Sequence, residues 1–136
     1  MAQAIVGRNP SQTKASVMAV HPDGSLAVRP PYVKPFAAKV AVTVPAGGNA
    51  TATVNVTTDK RVYVKHVNIT KGENTTIDSA GVLIDNNPTR QTASFDAEAV
   101  FGFLLTAETS VAVTGANGGT TDETLELEVL GVEVDR

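Results

Sequence analysis

The stretch Arg61–Thr70, reading RVYVKHVNIT, constrains the fold of this chain more than any other. Val62 and Val64 alternate with Arg61, Tyr63 and Lys65, and the apolar positions then resume at Val67 and Ile69, one residue out of phase. A strand with one face on a core has a side-chain period of two. The slip at Lys65–His66 therefore predicts a β-bulge, or a bend where the strand passes from one sheet to another. Such a strand is the corner of a sandwich, and the rest of the chain must supply strands to pack around it.

The composition agrees. A chain of 136 residues fits one domain with a real core and has no room for a second. Aromatic residues make up only 4% and Trp is absent, so the core must come from Val, Ile, Leu and Ala. The abundance of Val and Thr in the middle of the chain favours strands, because β-branched side chains fit a pleated surface better than a helix. A net charge of −3 with scattered basic residues argues against a nucleic-acid partner. The absence of Cys removes disulfides and thiolate chemistry together. Met1–Pro10 lacks the apolar run of a signal peptide, and no stretch approaches the roughly 20 apolar residues of a membrane span. Synthesis in a cytoplasm, with no membrane partner, is the expectation.

Read in order, the chain opens with Met1–Thr13, which has little apolar periodicity. Ser16–Val20 and Ser25–Val28 follow, separated by the turn sequence His21-Pro22-Asp23-Gly24, and suggest a small hairpin. Three prolines between Pro30 and Pro35 predict an extended connector, which places an arm and joint at 1–36 and a folded body at 37–136. In the body, Val40, Val42 and Val44 alternate with polar or small residues, and Pro45–Asn49 closes the strand. Ala52, Val54 and Val56 mark the next strand, and with Arg61–Thr70 the three predict an antiparallel meander.

Gly81–Asp85 reads as a strand ended by Asn86-Asn87-Pro88. Thr89–Glu98 suits either a short strand or a single helical turn, and the apolar run Val100–Leu105 reads as a central strand in which Gly102 marks a close approach or a kink. Val111–Val113 is a short strand and Gly115–Thr124 a polar loop. In the final stretch Leu125, Leu127 and Val129 alternate with glutamates, after which Leu130, Val132 and Val134 carry the pattern. That second slip mirrors the one at Lys65–His66. The fold expected is an all-β, antiparallel two-sheet sandwich, jelly-roll-like, with an extended N-terminal arm.

Chemistry-bearing residues do not assemble into a motif. His21 and His66 have no ligand spacing around them, and His66 at the bulge reads as a structural or interface residue. Asp78, Asp85, Asp96 and Glu98 are the acids that could share a calcium ion, although no Asp-x-Asp-x-Asp-Gly loop is present. There is no Gly-x-Ser-x-Gly turn, no phosphate-binding Gly loop, and no Trp to form a sugar platform beside paired carboxylates. The four Asn-x-Thr triplets at Asn49, Asn55, Asn68 and Asn74 read as polar strand positions. No enzymatic activity, metal or cofactor is expected.

The N-terminal third carries Ile5, Val6, Val17, Met18, Val20, Leu26 and Val28, apolar residues that need a partner. Two readings stand: a tail, disordered or with its strands folded back on the body, or an arm that docks on a neighbouring subunit or another protein. Under the second, the contact residues are Ile5, Val6, Val17, Met18 and Val20, with Tyr32 and Phe36 anchoring the joint.

The arm with Ser25–Val28 after Pro22-Asp23-Gly24, the Pro-rich joint, and a body reading VYVKHVNIT, GVLID, FGFLLTAETSVAVTGA and LELEVLGVEV together resemble small β-sandwich virion proteins of tailed bacteriophages. Capsid decoration, or cement, proteins are the nearest in style. The resemblance implies a structural protein on the outside of the head, a homotrimer whose arms clamp the major capsid protein. It leaves tail, neck and head-fibre proteins as an alternative. A carbohydrate-binding sandwich is the alternative from another class.

Overall fold

The computed structural model describes residues 19–20, 26–27, 32–72 and 75–136. The chain divides into two compact units, Met1–Pro31 and Tyr32–Arg136. In the first, β1 (Ala19–Val20) pairs antiparallel with β2 (Leu26–Ala27), Val20 opposite Leu26. This is the pairing that the His21–Gly24 turn sequence predicts.

The second unit begins at Tyr32, earlier than the 36/37 boundary read from composition, because β3 (Val33–Val44) runs straight through Pro35. Proline is compatible with this strand because, among the described residues, β3 is an edge paired only with β11 (Glu123–Asp135), so a missing N–H breaks no interior ladder. The remaining elements are β4 (Asn49–Asn55), β5 (Lys60–Lys71), β6 (Ile77–Ile84), β7 (Asn87–Pro88), β8 (Phe95–Asp96), α1 (Ala97–Phe101), β9 (Leu105–Ala107) and β10 (Ser110–Asn117).

The strands form two antiparallel sheets. One has the order β3-β11-β5-β8, with β9 also on β5, and the other has β4-β10-β6-β7. The first body strand thus pairs with the last and the second with the penultimate, while β5 and β6 join the far sides of β11 and β10. A long ribbon wound up in this way is a jelly roll. The sequence predicts instead a meander of β3, β4 and β5, and here the structure differs. Alternation fixes which face of a strand is buried but not which neighbour it takes. The turn at Pro45–Gly48, closed by the Gly48 N–H donating to the Pro45 carbonyl at 2.9 Å, carries the chain across to the other sheet.

The interior is built almost wholly from Val, Leu and Ala. Val62, Val64 and Val67 of β5, Leu125, Leu127 and Val129 of β11, and Val82, Val111 and Val113 of the facing sheet are fully buried, and Phe95 is the one aromatic ring among the buried core residues described.

The bulge is present where the alternation slips. Val64 lies opposite Gly131 and His66 opposite Leu130, so Lys65 has no partner on β11. On the other edge of β5 the same residue separates two short strands, β9 along Val62–Val64 and β8 along His66–Val67. The bulge lets Val62 and Val64 below it, and Val67 and Ile69 above it, all turn inward. β11 has no such slip, since its register with β3 is unbroken from Glu123 opposite Val44 to Val134 opposite Val33. The apolar phase changes in β11 because the strand turns apolar on its outer face, not because the backbone shifts.

Val100–Leu105 is not a central strand; only Leu105 enters one, as the first residue of β9. Asp96 caps a single helical turn, its carboxylate accepting from the Ala99 N–H at 3.0 Å, and Gly102 ends it at φ 78° with its N–H donating to the Glu98 carbonyl at 2.9 Å. Asp before and Gly after are the residues a short helix needs at its ends. A Cβ at Gly102 would meet nothing within 4 Å, so the only cost of Gly102→Ala is the left-handed backbone. That substitution is expected to lower stability by about 1 kcal/mol in a urea titration.

Candidate interaction surface

The register of the five-stranded sheet sorts its outward residues into rows. Val33, Val134 and Arg61 form the first, Pro35, Val132 and Tyr63 the second, and Ala37, Leu130 and His66 the third. Beyond these, Lys39, Glu128 and Asn68 form a fourth row and Ala41, Glu126 and Thr70 a fifth. The outer face is therefore divided along its length. At one end β3 and β11 present only Val, Pro, Ala and Leu; at the other, Lys39 pairs with Glu126 at 3.0 Å and the Asn68 amide donates to Glu128 at 2.8 Å. Val33 is 62% exposed, Pro35 and Ala37 are exposed, and Leu130, Val132, Val134 and Tyr63 are half-buried. An antiparallel sheet with one face on a core normally shows polar residues on the other. Three apolar rows in succession are the departure from that rule.

His66 closes the third row, its Nε2 3.3 Å from the Asp96 carboxylate. The bulge at Lys65 thus sets His66 on the outer face, at the border of the apolar rows.

A second apolar feature lies at the opposite edge of the same sheet. Ala97 is buried and Phe101 packs on the core, while Val100 and Phe103 on either side of the Gly102 turn are 46% and 61% exposed. Phe101 links the two environments, edge-to-face with Phe95 at 5.8 Å and tilted against Phe103 at 6.2 Å.

Of the residues that sequence singles out for contact, Ile5, Val6, Val17 and Met18 lie outside the described residues. Val20 is placed only as the β1 residue opposite Leu26. Tyr32 and Phe36 are both engaged within the body. The Tyr32 hydroxyl donates to Glu133 Oε1 at 2.9 Å, and Lys60 Nζ sits 3.8 Å from the ring centroid while also pairing with Asp135. The Glu133 hydrogen bond raises the Tyr32 phenol above its ordinary range. Phe36 is on the inner face, in the row of Gly131 and Val64, and packs on the core. Together they fasten the start of β3 to the body.

The four acids considered for calcium do not converge. The Asp85 carboxylate takes the backbone N–H groups of Glu108, Thr109 and Ser110, Asp96 caps α1, Glu98 is exposed on that helix, and Asp78 belongs to β6. Among the described residues no group of three or more His, Asp or Glu is placed to hold a metal ion.

The outward rows were not singled out by sequence reasoning, yet the signal was there. Leu127, Val129, Leu130, Val132 and Val134 put apolar residues on both parities of one strand, and Pro35 marks the strand beside it as an edge. No protein-family model matches the chain, and no curated protein matches it in sequence.

Proposed function

We propose that this chain is a structural protein of a tailed-phage particle, a decoration subunit that attaches to the outside of the head, with the major capsid protein as its partner. The observation that carries this reading is the apolar outer face of the five-stranded sheet, a surface suited to protein contact, next to the point where the N-terminal segment joins β3. The polar side chains support it. Every buried side-chain nitrogen and oxygen among the described residues has a hydrogen-bond partner, and the charged clusters fasten strand ends, as when Arg61 and Arg136 both reach Glu108 at 2.6 and 3.3 Å. The role so read is non-enzymatic, and the resemblance of the sequence to cement proteins supplies the kind of assembly and its trimeric form. On a symmetric shell, many weak copies of one contact add up to firm attachment.

The number of copies of this chain per purified particle, measured by mass spectrometry, tests the proposal. Hundreds of copies are expected. A few to a few tens would assign the chain to the tail, neck or fibres, and complete absence from particles would overturn the virion reading.

A further inference from the structure

We propose that the apolar half of the outer face of the five-stranded sheet receives the segment Met1–Pro31 of a second copy of this chain. The inference rests on reading the chain as an assembly protein whose arm makes contacts, and not on the assembly being a phage head.

The size of the patch argues for a segment and against a rigid body. Its rows run from Val33 to Ala37 on β3 and from Leu130 to Val134 on β11, with Tyr63 beside them on β5. Five positions along a strand span roughly 16 Å, and three strands with their side chains roughly 15 Å. The resulting face of roughly 240 Å² is well short of the roughly 800 Å² per partner that a stable interface between folded bodies buries. It matches the footprint of a few residues of extended chain or of a two-stranded ribbon.

The chain carries such an occupant. Thirty-one residues precede Tyr32, and they contain Ile5, Val6, Val17, Met18, Val20, Leu26 and Val28 around the β1–β2 pair. Charge points the same way. Residues 1–31 hold Arg8, Lys14 and Arg29 against the single acid Asp23, a net of +2, while the remaining eight basic and thirteen acidic residues give Tyr32–Arg136 a net of −5. On the outer face, Glu128 stands in the row next to the apolar rows, beside Lys39, and Glu126, paired with Lys39, in the row beyond. An apolar, basic segment meeting an apolar patch on a body of net negative charge combines burial with attraction of unlike charge. Pro35 lies within the patch and removes a donor from the edge strand, so packing on the face is favoured over extension of the sheet there.

The natural chain has no cysteine, which makes disulfide trapping unambiguous. Full-length Val132→Cys carrying a mass tag is mixed with untagged full-length chains bearing Cys in place of Ile5, Val17 or Leu26, one at a time, and oxidised. Mixed-mass disulfide dimers from at least one of the three are expected. Double variants carrying Val132→Cys and one of these cysteines on the same chain are oxidised alongside, and three results would each overturn the proposal: only Val132→Cys self-dimers in the mixtures, closure within one chain in the double variants without any product between chains, or no product at all. In parallel, full-length Val132→Asp, a substitution at a half-buried outer position, is expected to sediment as monomer while its thermal midpoint stays within a few degrees of the parent. Unchanged oligomer size would count against the face. Copy number in particles is a separate measurement, so a chain that cross-links as expected but is absent from virions would retain this inference and lose the virion reading.

Discussion

Gly131→Ala is expected to be the most damaging single-methyl substitution in the body, lowering stability by roughly 3 kcal/mol or more. Gly131 faces inward on β11 opposite Val64, at the step where the Lys65 bulge interrupts the ladder. A Cβ built there would lie 2.1 Å from the Tyr63 carbonyl oxygen and 3.1 Å from the Val64 Cα. Both atoms are backbone, so no rotamer change relieves the overlap. Tyr63 cannot withdraw either, because it is held by Val132 of β11 on one side and Thr106 of β9 on the other. The two central strands of the sheet would have to separate at the corner, where Val62, Val64 and Val67 are fully buried. For a body of this size roughly 3 kcal/mol corresponds to a fall in melting temperature of about 12 °C or more. Thermal unfolding of Gly131→Ala beside Leu130→Ala, a truncation on the outer face, checks it. If the glycine variant lost no more than the leucine variant, the close approach at the bulge would not exist.

How this bulge was legible, and the neighbouring feature was not, comes down to what a change of phase means. An apolar pattern that slips by one residue has two physical origins. Either the backbone gains a residue and the same face stays buried, or the backbone keeps its register and the opposite face becomes apolar. In β5 the first holds, since Lys65 is the extra residue and the apolar positions on both sides of it turn inward. In β11 the second holds, since Gly131 and Glu133 take the inner positions and Leu130, Val132 and Val134 the outer ones. The two slips look alike in sequence and differ only once the partner strands are known. Strand partners lie far apart in the chain, as with β3 and β11, and alternation carries no record of them. The jelly-roll-like sandwich and much of the core could thus be read, but not which strands pair within it.

The same limit applies to Val100–Leu105. Its composition suits a strand, yet Asp96 and Gly102 decide the backbone by satisfying the ends of one helical turn, and Val100 and Phe103 are left exposed. Tyr32 and Phe36, aromatics beside prolines, read as anchors of the joint, and Glu133, Lys60 and the core tie them to the body.

Asp85 carries the other large expected effect, and pH separates its charge from its shape. It occupies the first position of the β6–β7 turn at φ 51°, followed by Asn86 at φ 66°, a pair of left-handed residues that suits a two-residue hairpin. Its carboxylate accepts the N–H groups of Glu108, Thr109 and Ser110 at 2.9, 2.7 and 3.1 Å and the Thr109 hydroxyl at 3.0 Å, fixing the turn between β9 and β10. Partial burial pushes its pKa up, but these donors outweigh it and hold the group below its ordinary value of 3.8. Asp85→Ala loses the acceptor of four donors and strains the backbone, so a cost of about 3 kcal/mol is expected near neutral pH. Asp85→Asn tolerates the left-handed backbone and keeps one acceptor oxygen, so it should lose only the part that depends on charge. Because the folded pKa is depressed, the stabilisation is complete above the unfolded value and disappears as pH falls through the folded one. The difference in stability between the parent and Asp85→Asn should therefore be constant from about pH 7 to pH 5 and shrink steadily below about pH 4. Glu108, also held low by Arg61, titrates in both proteins and cancels from the difference. Urea titrations at stepped pH measure it, and a difference that did not change with pH would mean that the Asp85 charge contributes nothing to holding the β9–β10 turn.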